Sequence, residues 1–176
     1  MKSPFLFLSF LVCAAAHAAA PAATALAGTW RLDAARSTEL SPWKSFDLTI
    51  TITGDTVTLE RKLAWGRRDF TDRLSLDTSK TETIAPIDWW ADNRHLGAYI
   101  GDDHTRRVHP QWLDDGRLLR LSTDLVLETQ QGPRAVNILS DYKVSASGAE
   151  LTLTELRSTR NRPVVYVFKR LASDSK

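Results

Sequence analysis

The stretch Gly28-Thr29-Trp30-Arg31-Leu32-Asp33 decides how the rest of the chain is interpreted. A glycine suited to a turn is followed by a short alternation of polar and apolar residues that includes Trp30. This pattern predicts a first β-strand that holds Trp30 beneath a sheet. No later stretch has a convincing period of 3.6 residues, so the sequence indicates an all-β domain.

The two-residue period continues along most of the chain. Residues 46–53 alternate between apolar side chains and Asp or Thr, and Gly54-Asp55 is a hairpin signal before the return strand. Residues 78–85 are expected to form a further strand that ends at Pro86. The other predicted strands are residues 68–76, 105–113, 117–130, 134–144, 150–156 and 163–171.

About eight to ten short strands, joined by hairpins in sequence order, favour an antiparallel up-and-down β-barrel, because closure removes unpaired strand edges. A β-sandwich is the alternative fold. Between two of the strands, residues 87–103 are irregular and contain Trp89-Trp90. A long irregular segment in a compact domain is often a functional loop, so this one is a candidate lid.

The N-terminus predicts export. Lys2 precedes an apolar run over residues 5–12, and Ala16-His17-Ala18 fits the small-x-small pattern of a cleavage site. The apolar run is too short to span a bilayer. The bulky Val12 before Cys13 argues against lipidation, and cleavage after residue 18 would remove this single cysteine. We therefore expect a periplasmic or secreted protein without disulfides.

The predicted organisation is a single domain. Residues 1–18 are the signal peptide, 19–27 a flexible lead-in, 28–171 the barrel and 172–176 a C-terminal tail. A mature chain of this length can bury a substantial core.

A family resemblance rests on residues 28–37, Gly-Thr-Trp-Arg-Leu-Asp-Ala-Ala-Arg-Ser. Gly28-Thr29-Trp30 resembles the Gly-x-Trp signature of lipocalins, and the longer run is similar to the opening of small secreted bacterial lipocalin-like (calycin-type) proteins. The resemblance implies a lipocalin-like barrel in which Gly28 and Trp30 have structural roles. It also implies that a basic residue of the last strand, Lys169 or Arg170, packs over Trp30 by cation–π contact.

Polar residues within apolar strand faces are the best sign of a binding site. If the alternation holds, Arg61, Asp72 and Glu155 point into the barrel, where a charge is costly unless it is paired. One interpretation is a cavity whose polar groups orient a largely apolar ligand, with Arg61 facing an anionic group. The other is that these charges pair with each other or reach water at a barrel end. The predicted ligand-binding residues are Arg61, Phe70, Asp72, Trp90, Trp112 and Tyr142.

Three histidines form the second candidate site. The mature chain has all of its histidines within fifteen residues, among several aspartates: His95, His104 and His109. Imidazole and carboxylate are common zinc or copper ligands, but the spacings match no established motif, and a polar surface loop explains them equally. Familiar catalytic signatures are absent, so no catalytic residue and no cofactor are predicted, and an enzyme is disfavoured.

The charge of the chain indicates which classes of binding partner are not expected. The formal net charge is +2, and the arginine pairs 67–68 and 106–107 lie near carboxylates, as on a solvated face. Neither nucleic acid nor stable membrane insertion is indicated, and no protein partner can be named. The leading hypothesis is a non-catalytic binder of a small apolar or amphipathic molecule. The alternatives are a small metal-binding protein or enzyme using the histidines, and an interaction or inhibitor module with a filled barrel.

Overall fold

The fold is a nearly closed antiparallel β-barrel, in a computed structural model that describes residues 25–38, 44–88 and 98–172. The 3-10 turns Ala34–Arg36 and Asp114–Gly116 accompany the strands. The strands are β1 (Gly28–Leu32), β2 (Ser45–Thr53), β3 (Thr56–Trp65), β4 (Arg68–Asp77), β5 (Thr83–Pro86), β6 (Tyr99–Ile100), β7 (Thr105–Leu113), β8 (Leu118–Thr129), β9 (Gly132–Val144), β10 (Glu150–Arg157) and β11 (Val164–Arg170).

One continuous sheet forms the barrel wall. Its strand order is β4-β3-β2-β1-β11-β10-β9-β8-β7-β5, and the two-residue β6 pairs with β8 beside this path. The prediction of an up-and-down barrel is therefore confirmed. Because β4 and β5 stand at the two ends of the order, the barrel closes along a seam between them rather than by a continuous ladder.

Two boundaries differ from the sequence prediction. Residues 78–82 do not extend a strand, because the Asp77 carboxylate accepts hydrogen bonds from the backbone N–H and the hydroxyl of Ser79 and so forms a turn. Strand β5 starts only at Thr83 and includes Pro86, which the prediction placed after the strand. Strand β6 lies within the segment predicted to be irregular, and residues 89–97 lie outside the described part.

Trp30 is a fully buried member of the larger apolar cluster. Its Nε1–H donates a hydrogen bond to the Leu26 carbonyl at 3.0 Å. Leu26, near the end of the predicted lead-in, is itself fully buried and belongs to the same cluster. This burial stabilises the fold, because complete burial of a leucine side chain contributes roughly 2 kcal/mol.

Arg170 covers the Trp30 ring from the last strand. Its guanidinium carbon lies 4.0 Å from the ring centroid. The same guanidinium donates hydrogen bonds to the carbonyls of Ala25, Ala27 and Gly148. The neighbouring Lys169 points outward instead and pairs with Asp33 at 2.8 Å. Of the two basic residues that the resemblance offered, Arg170 is the one that lies over Trp30.

A second, smaller apolar cluster lies apart from the first. Its buried members come from the segment after β5 and from β6, β8 and β9: Ile87, Ile100, Leu125, Leu127 and Val136. Ala98 and Ile138 pack against it. The barrel interior therefore has two apolar regions, and the candidate site lies between them.

In the described residues there is no helix of the length and hydropathy needed to cross a membrane.

Candidate functional site: a charged cavity inside the barrel

A cavity of about 60 Å³ lies inside the barrel. Part of its wall is apolar and comes from both clusters: Leu59, Leu74 and Leu121 from the larger one, and Ile87, Leu125 and Ile138 from the smaller one. The polar part of the wall comes from six strands: Arg61, Asp72, Arg106, Thr123, Ser140, Tyr142, Glu155 and Arg157.

Strand alternation brings the charged side chains together. Arg61 on β3 and Asp72 on β4 are directly opposite each other in the antiparallel ladder, so both project to the same face. Arg106 on β7 is opposite Ala85 on β5, and both side chains are buried. Because the alanine side chain is short, it leaves space for the arginine side chain in the barrel interior, beside the seam between β4 and β5.

Asp72 is the shared acceptor of two arginines. Arg106 donates from Nη2 to Oδ1 at 2.9 Å and from Nη1 to Oδ2 at 3.1 Å, which is a bidentate pair. Arg61 donates from Nε to Oδ2 at 2.9 Å and also bonds the carboxylate through Nη2. Arg106 reaches further across the seam, where Nη2 lies 3.3 Å from the Arg73 carbonyl oxygen.

The pKa values reflect this sharing of one carboxylate. Burial raises the pKa of Asp72, but the charge of Arg61 and the hydrogen bonds from Arg106 outweigh burial and lower it to about 2. Burial lowers the pKa of Arg61, yet the Asp72 carboxylate raises it overall. The pKa of Arg106 is lowered by burial and by repulsion from Arg61, which exceed the attraction of Asp72. Arg106 remains a cation at neutral pH, as guanidinium groups do. The Asp72 carboxylate compensates its positive charge less completely than it compensates that of Arg61.

Arg106 also retains an unused donor. The residue is only 3% exposed, and its buried Nε has no hydrogen-bond partner among the described residues. A buried donor without a partner costs roughly 1–3 kcal/mol. Arg106 lines the cavity, and an acceptor that came within hydrogen-bond distance of its Nε would remove that cost.

Two further groups complete the polar wall. Tyr142 is buried, and burial raises the pKa of its hydroxyl to about 12, so it stays a neutral donor at physiological pH. Glu155 accepts a hydrogen bond from Arg157, two residues along the same strand. Among the described residues that line the cavity, three guanidinium groups therefore face two carboxylates, which leaves one positive charge in excess.

The cavity contains some of the residues predicted from sequence. Arg61, Asp72 and Tyr142 line it. Phe70 and Trp112 do not belong to the described lining: each is partly buried against the larger cluster instead. Trp112 lies six residues from Arg106 along β7, roughly 20 Å away, which explains its absence. Trp90 lies outside the described residues.

The sequence analysis missed Arg106, and the expectation of a solvated Arg106–Arg107 pair is wrong for its first member. The side chain of Arg107 is 57% exposed and pairs with Glu82, whereas Arg106 is buried. The signal was present: Arg106 is two residues before the buried Val108, so alternation places both on the inner face. The same alternation places Arg157 beside Glu155 on β10.

The histidines do not assemble into a metal centre in the described part of the chain. His109 lies on β7, with Nδ1 3.0 Å from the Thr81 carbonyl oxygen, to which it donates, and Nε2 3.6 Å from Glu82. His104 is exposed in the turn before β7. No group of three or more His, Cys, Asp or Glu side chains suited to a metal ion occurs among the described residues, and His95 lies outside them.

The fold and the cavity define a lipocalin-like β-barrel with a charged interior. No family model matches the chain, and no curated protein matches it. Among solved structures, the chain is similar to secretory abundant heat soluble protein 4 from Ramazzottius varieornatus, with 8% identity over 85% of this chain and 96% of that chain and a TM-score of 0.52.

Two fatty-acid-binding proteins are also similar in structure. The protein from brain tissue of Drosophila melanogaster has 18% identity over 80% of this chain and 95% of that chain, with a TM-score of 0.49. The protein from Manduca sexta has 10% identity over 81% of this chain and 97% of that chain, with a TM-score of 0.44. At these identities the similarity concerns the fold alone.

Proposed function

We propose that this protein is a non-catalytic carrier that binds a small molecule inside the barrel through an anionic group of that molecule. The observation that supports this most is the buried Arg106, whose Nε–H lacks a partner within the described part of the chain and which lines a cavity with an excess positive charge. An anion there would accept the free N–H and compensate a cation that shares its carboxylate with Arg61.

The rest of the wall suits an amphipathic ligand. The neutral Tyr142 hydroxyl can donate to an anion, while Leu121, Leu125 and Ile138 offer an apolar surface. Pockets with a few convergent polar groups and a largely apolar wall are the usual form of small-molecule sites. The anionic group is therefore assigned to Arg106 and Tyr142, and the remainder of the ligand to the apolar wall.

The test compares acids with neutral molecules of the same length. Isothermal titration calorimetry is carried out with propionate against propionamide and with dodecanoate against 1-dodecanol. The proposal predicts that at least one acid binds and that its neutral counterpart does not. Binding of a neutral compound as tight as that of its acid, or binding of neither acid, would contradict it.

Matched arginine variants assign the charge. Arg106→Gln should reduce acid affinity at least tenfold, because it removes the buried cation. Arg107→Gln is the control, since Arg107 is adjacent in sequence but exposed and paired with Glu82 on the outer face. Circular dichroism confirms that both variants are folded before they are titrated.

A filled barrel that acts through its outer surface is the second candidate, and the small cavity volume is the observation that favours it. Large apolar side chains are exposed on the outside at Ile84, Tyr99, Val126 and Leu156. Size-exclusion chromatography with light scattering tests this candidate: a concentration-dependent dimer that Tyr99→Ser abolishes, in a protein that binds no acid, would support it.

We also propose that the protein works outside the cytoplasm. The apolar run at residues 5–12 and the Ala16-His17-Ala18 pattern support this proposal. Intact-mass measurement of the protein from a Gram-negative host tests it. A periplasmic chain that starts at Ala19 is the expected result, and an uncleaved cytoplasmic chain would contradict it.

A further inference from the structure

We infer that the ligand is a compact anion, of the size of acetate or propionate, and that Ile138 limits the length of its apolar part. This inference rests on the proposed function and concerns the size of the molecule that the same site accepts. It follows from how the two apolar clusters divide the barrel interior.

The larger cluster fills the interior on one side of the charged groups. Leu59, Leu74 and Leu121 line the cavity and belong to this cluster, which also contains the fully buried Trp30. A ligand chain cannot extend in this direction without displacing the side chains that stabilise the fold.

The smaller cluster fills the other side. Leu125 and Ile87 are buried members of it that also line the cavity, and Leu127 and Val136 are buried members that do not. Ile87 is fixed in position by a backbone hydrogen bond from its N–H to the His104 carbonyl at 2.9 Å. The charged groups therefore face a gap with packed apolar side chains on both sides.

The free volume sets the ligand size. About 10–15 Å³ of water-accessible volume is needed to hold one water molecule, so the cavity of about 60 Å³ has room for about four to six small atoms or water molecules. Sites for larger organic ligands measure about 300–1,000 Å³. A carboxylate with one or two further carbons matches the gap, whereas a long hydrocarbon chain has no space between the clusters.

Ile138 stands at the boundary that would have to move. It lines the cavity and also packs against the smaller cluster, and it is only partly buried. On β9 it is opposite Thr123 of β8 and Arg157 of β10, next to the polar wall. Truncation of Ile138 to alanine would remove a side chain that separates the cavity from the smaller cluster, and would enlarge the cavity in that direction.

The experiment is a chain-length series measured by isothermal titration calorimetry at constant ionic strength. The probes are acetate, propionate, butyrate, octanoate and dodecanoate, titrated into the wild-type protein, Ile138→Ala and Val136→Ala. Val136→Ala is the matched control, because Val136 belongs to the same strand and cluster but is not among the residues that line the cavity.

The inference predicts that affinity is highest for acetate or propionate and falls at least tenfold by octanoate. Ile138→Ala should move the optimum to a longer acid, and Val136→Ala should leave it unchanged. Tightest binding of dodecanoate by the wild-type protein would overturn the size limit but leave the proposed function intact. A length optimum that both variants shift equally would overturn the role of Ile138. If no acid binds to any of the three proteins, the proposed function itself fails.

Discussion

Arg106 on β7 and Asp72 on β4 form a buried bidentate ion pair across the seam of the barrel, with Nη–Oδ distances of 2.9 and 3.1 Å. No backbone ladder joins β4 to β5, the two end strands of the sheet. A side-chain contact thus links the parts of the wall that main-chain hydrogen bonds leave separate. The same residues line the cavity, so barrel closure and the candidate site share one charged network.

Removal of the Asp72 charge should strongly destabilise the fold. Asp72→Asn leaves Arg61 and Arg106 without their common carboxylate, and breaking a buried ion pair from one side costs about 3 kcal/mol or more. Urea unfolding measures the loss. The control is Asp47→Asn, which breaks an exposed pair with Arg31 and should change stability little. Equal losses in the two variants would contradict the central role of the Asp72 network.

The contribution of Asp72 should disappear in acid. Its pKa is about 2 in the folded protein, against about 4 for an aspartate in an unfolded chain. Because the folded value is the lower one, this stabilisation is complete above about pH 4 and is lost as the pH falls from 4 towards 2. The amount is about 2 kcal/mol.

The measurement is the difference in unfolding free energy between the wild-type protein and Asp72→Asn at pH 6 and at pH 2.5. The variant cannot titrate at this position, so the difference should shrink at the lower pH. A difference that stays constant between the two pH values would show that Asp72 is not held ionised by its two arginines.

Arg170 should stabilise the barrel end through both its charge and its geometry. Arg170→Lys retains a cation near Trp30 but cannot reproduce the fork that binds three carbonyls, so we expect a loss of about 2 kcal/mol. Lys169→Ala is the control, because Lys169 forms an exposed pair on the outside. Thermal unfolding followed by tryptophan fluorescence measures both. Full retention of stability in Arg170→Lys would show that charge alone is sufficient.

A side chain at Gly28 should destabilise the fold more than one at another glycine with positive φ. Its φ is +141°, and a Cβ there would lie 2.4 Å from Nη1 of Arg170, the atom that binds the Ala27 carbonyl. Gly54 also has positive φ, at +57°, but a Cβ there meets nothing within 4 Å. Gly28→Ala should therefore cost at least about 1 kcal/mol more than Gly54→Ala in chemical denaturation, because a φ of +141° is less accessible to alanine than one of +57° and only the Gly28 side chain displaces Arg170. Equal costs would contradict the steric account.

Strand periodicity carried most of what the sequence could predict. Alternation placed Arg61 and Asp72 on the inner face, where both line the cavity. Alternation does not predict where along the barrel axis a side chain lies, because a period of two residues shows only whether it points inward or outward. Phe70 and Trp112 face the larger cluster at other levels for this reason.

Arg106 shows a second limit of the sequence analysis. Two adjacent arginines look alike in composition, and their usual place is the surface. Only the neighbouring buried Val108 indicates which of the two faces inward. The acceptor of Arg106 lies 34 residues away, across a seam that no local pattern reveals. The site therefore depends on barrel closure, which is a property of the whole chain.

The most direct test of the central claim is the ¹⁵Nε–Hε resonance of Arg106, observed by NMR and assigned with Arg106→Gln. Propionate is titrated into one sample and dodecanoate into another, with Arg107 as the internal control. The account predicts a saturable downfield shift of the Arg106 Hε resonance with at least one acid, because the anion accepts the N–H that has no partner among the described residues, and no shift at Arg107. An acid that binds while the Arg106 resonance stays unchanged would contradict the account.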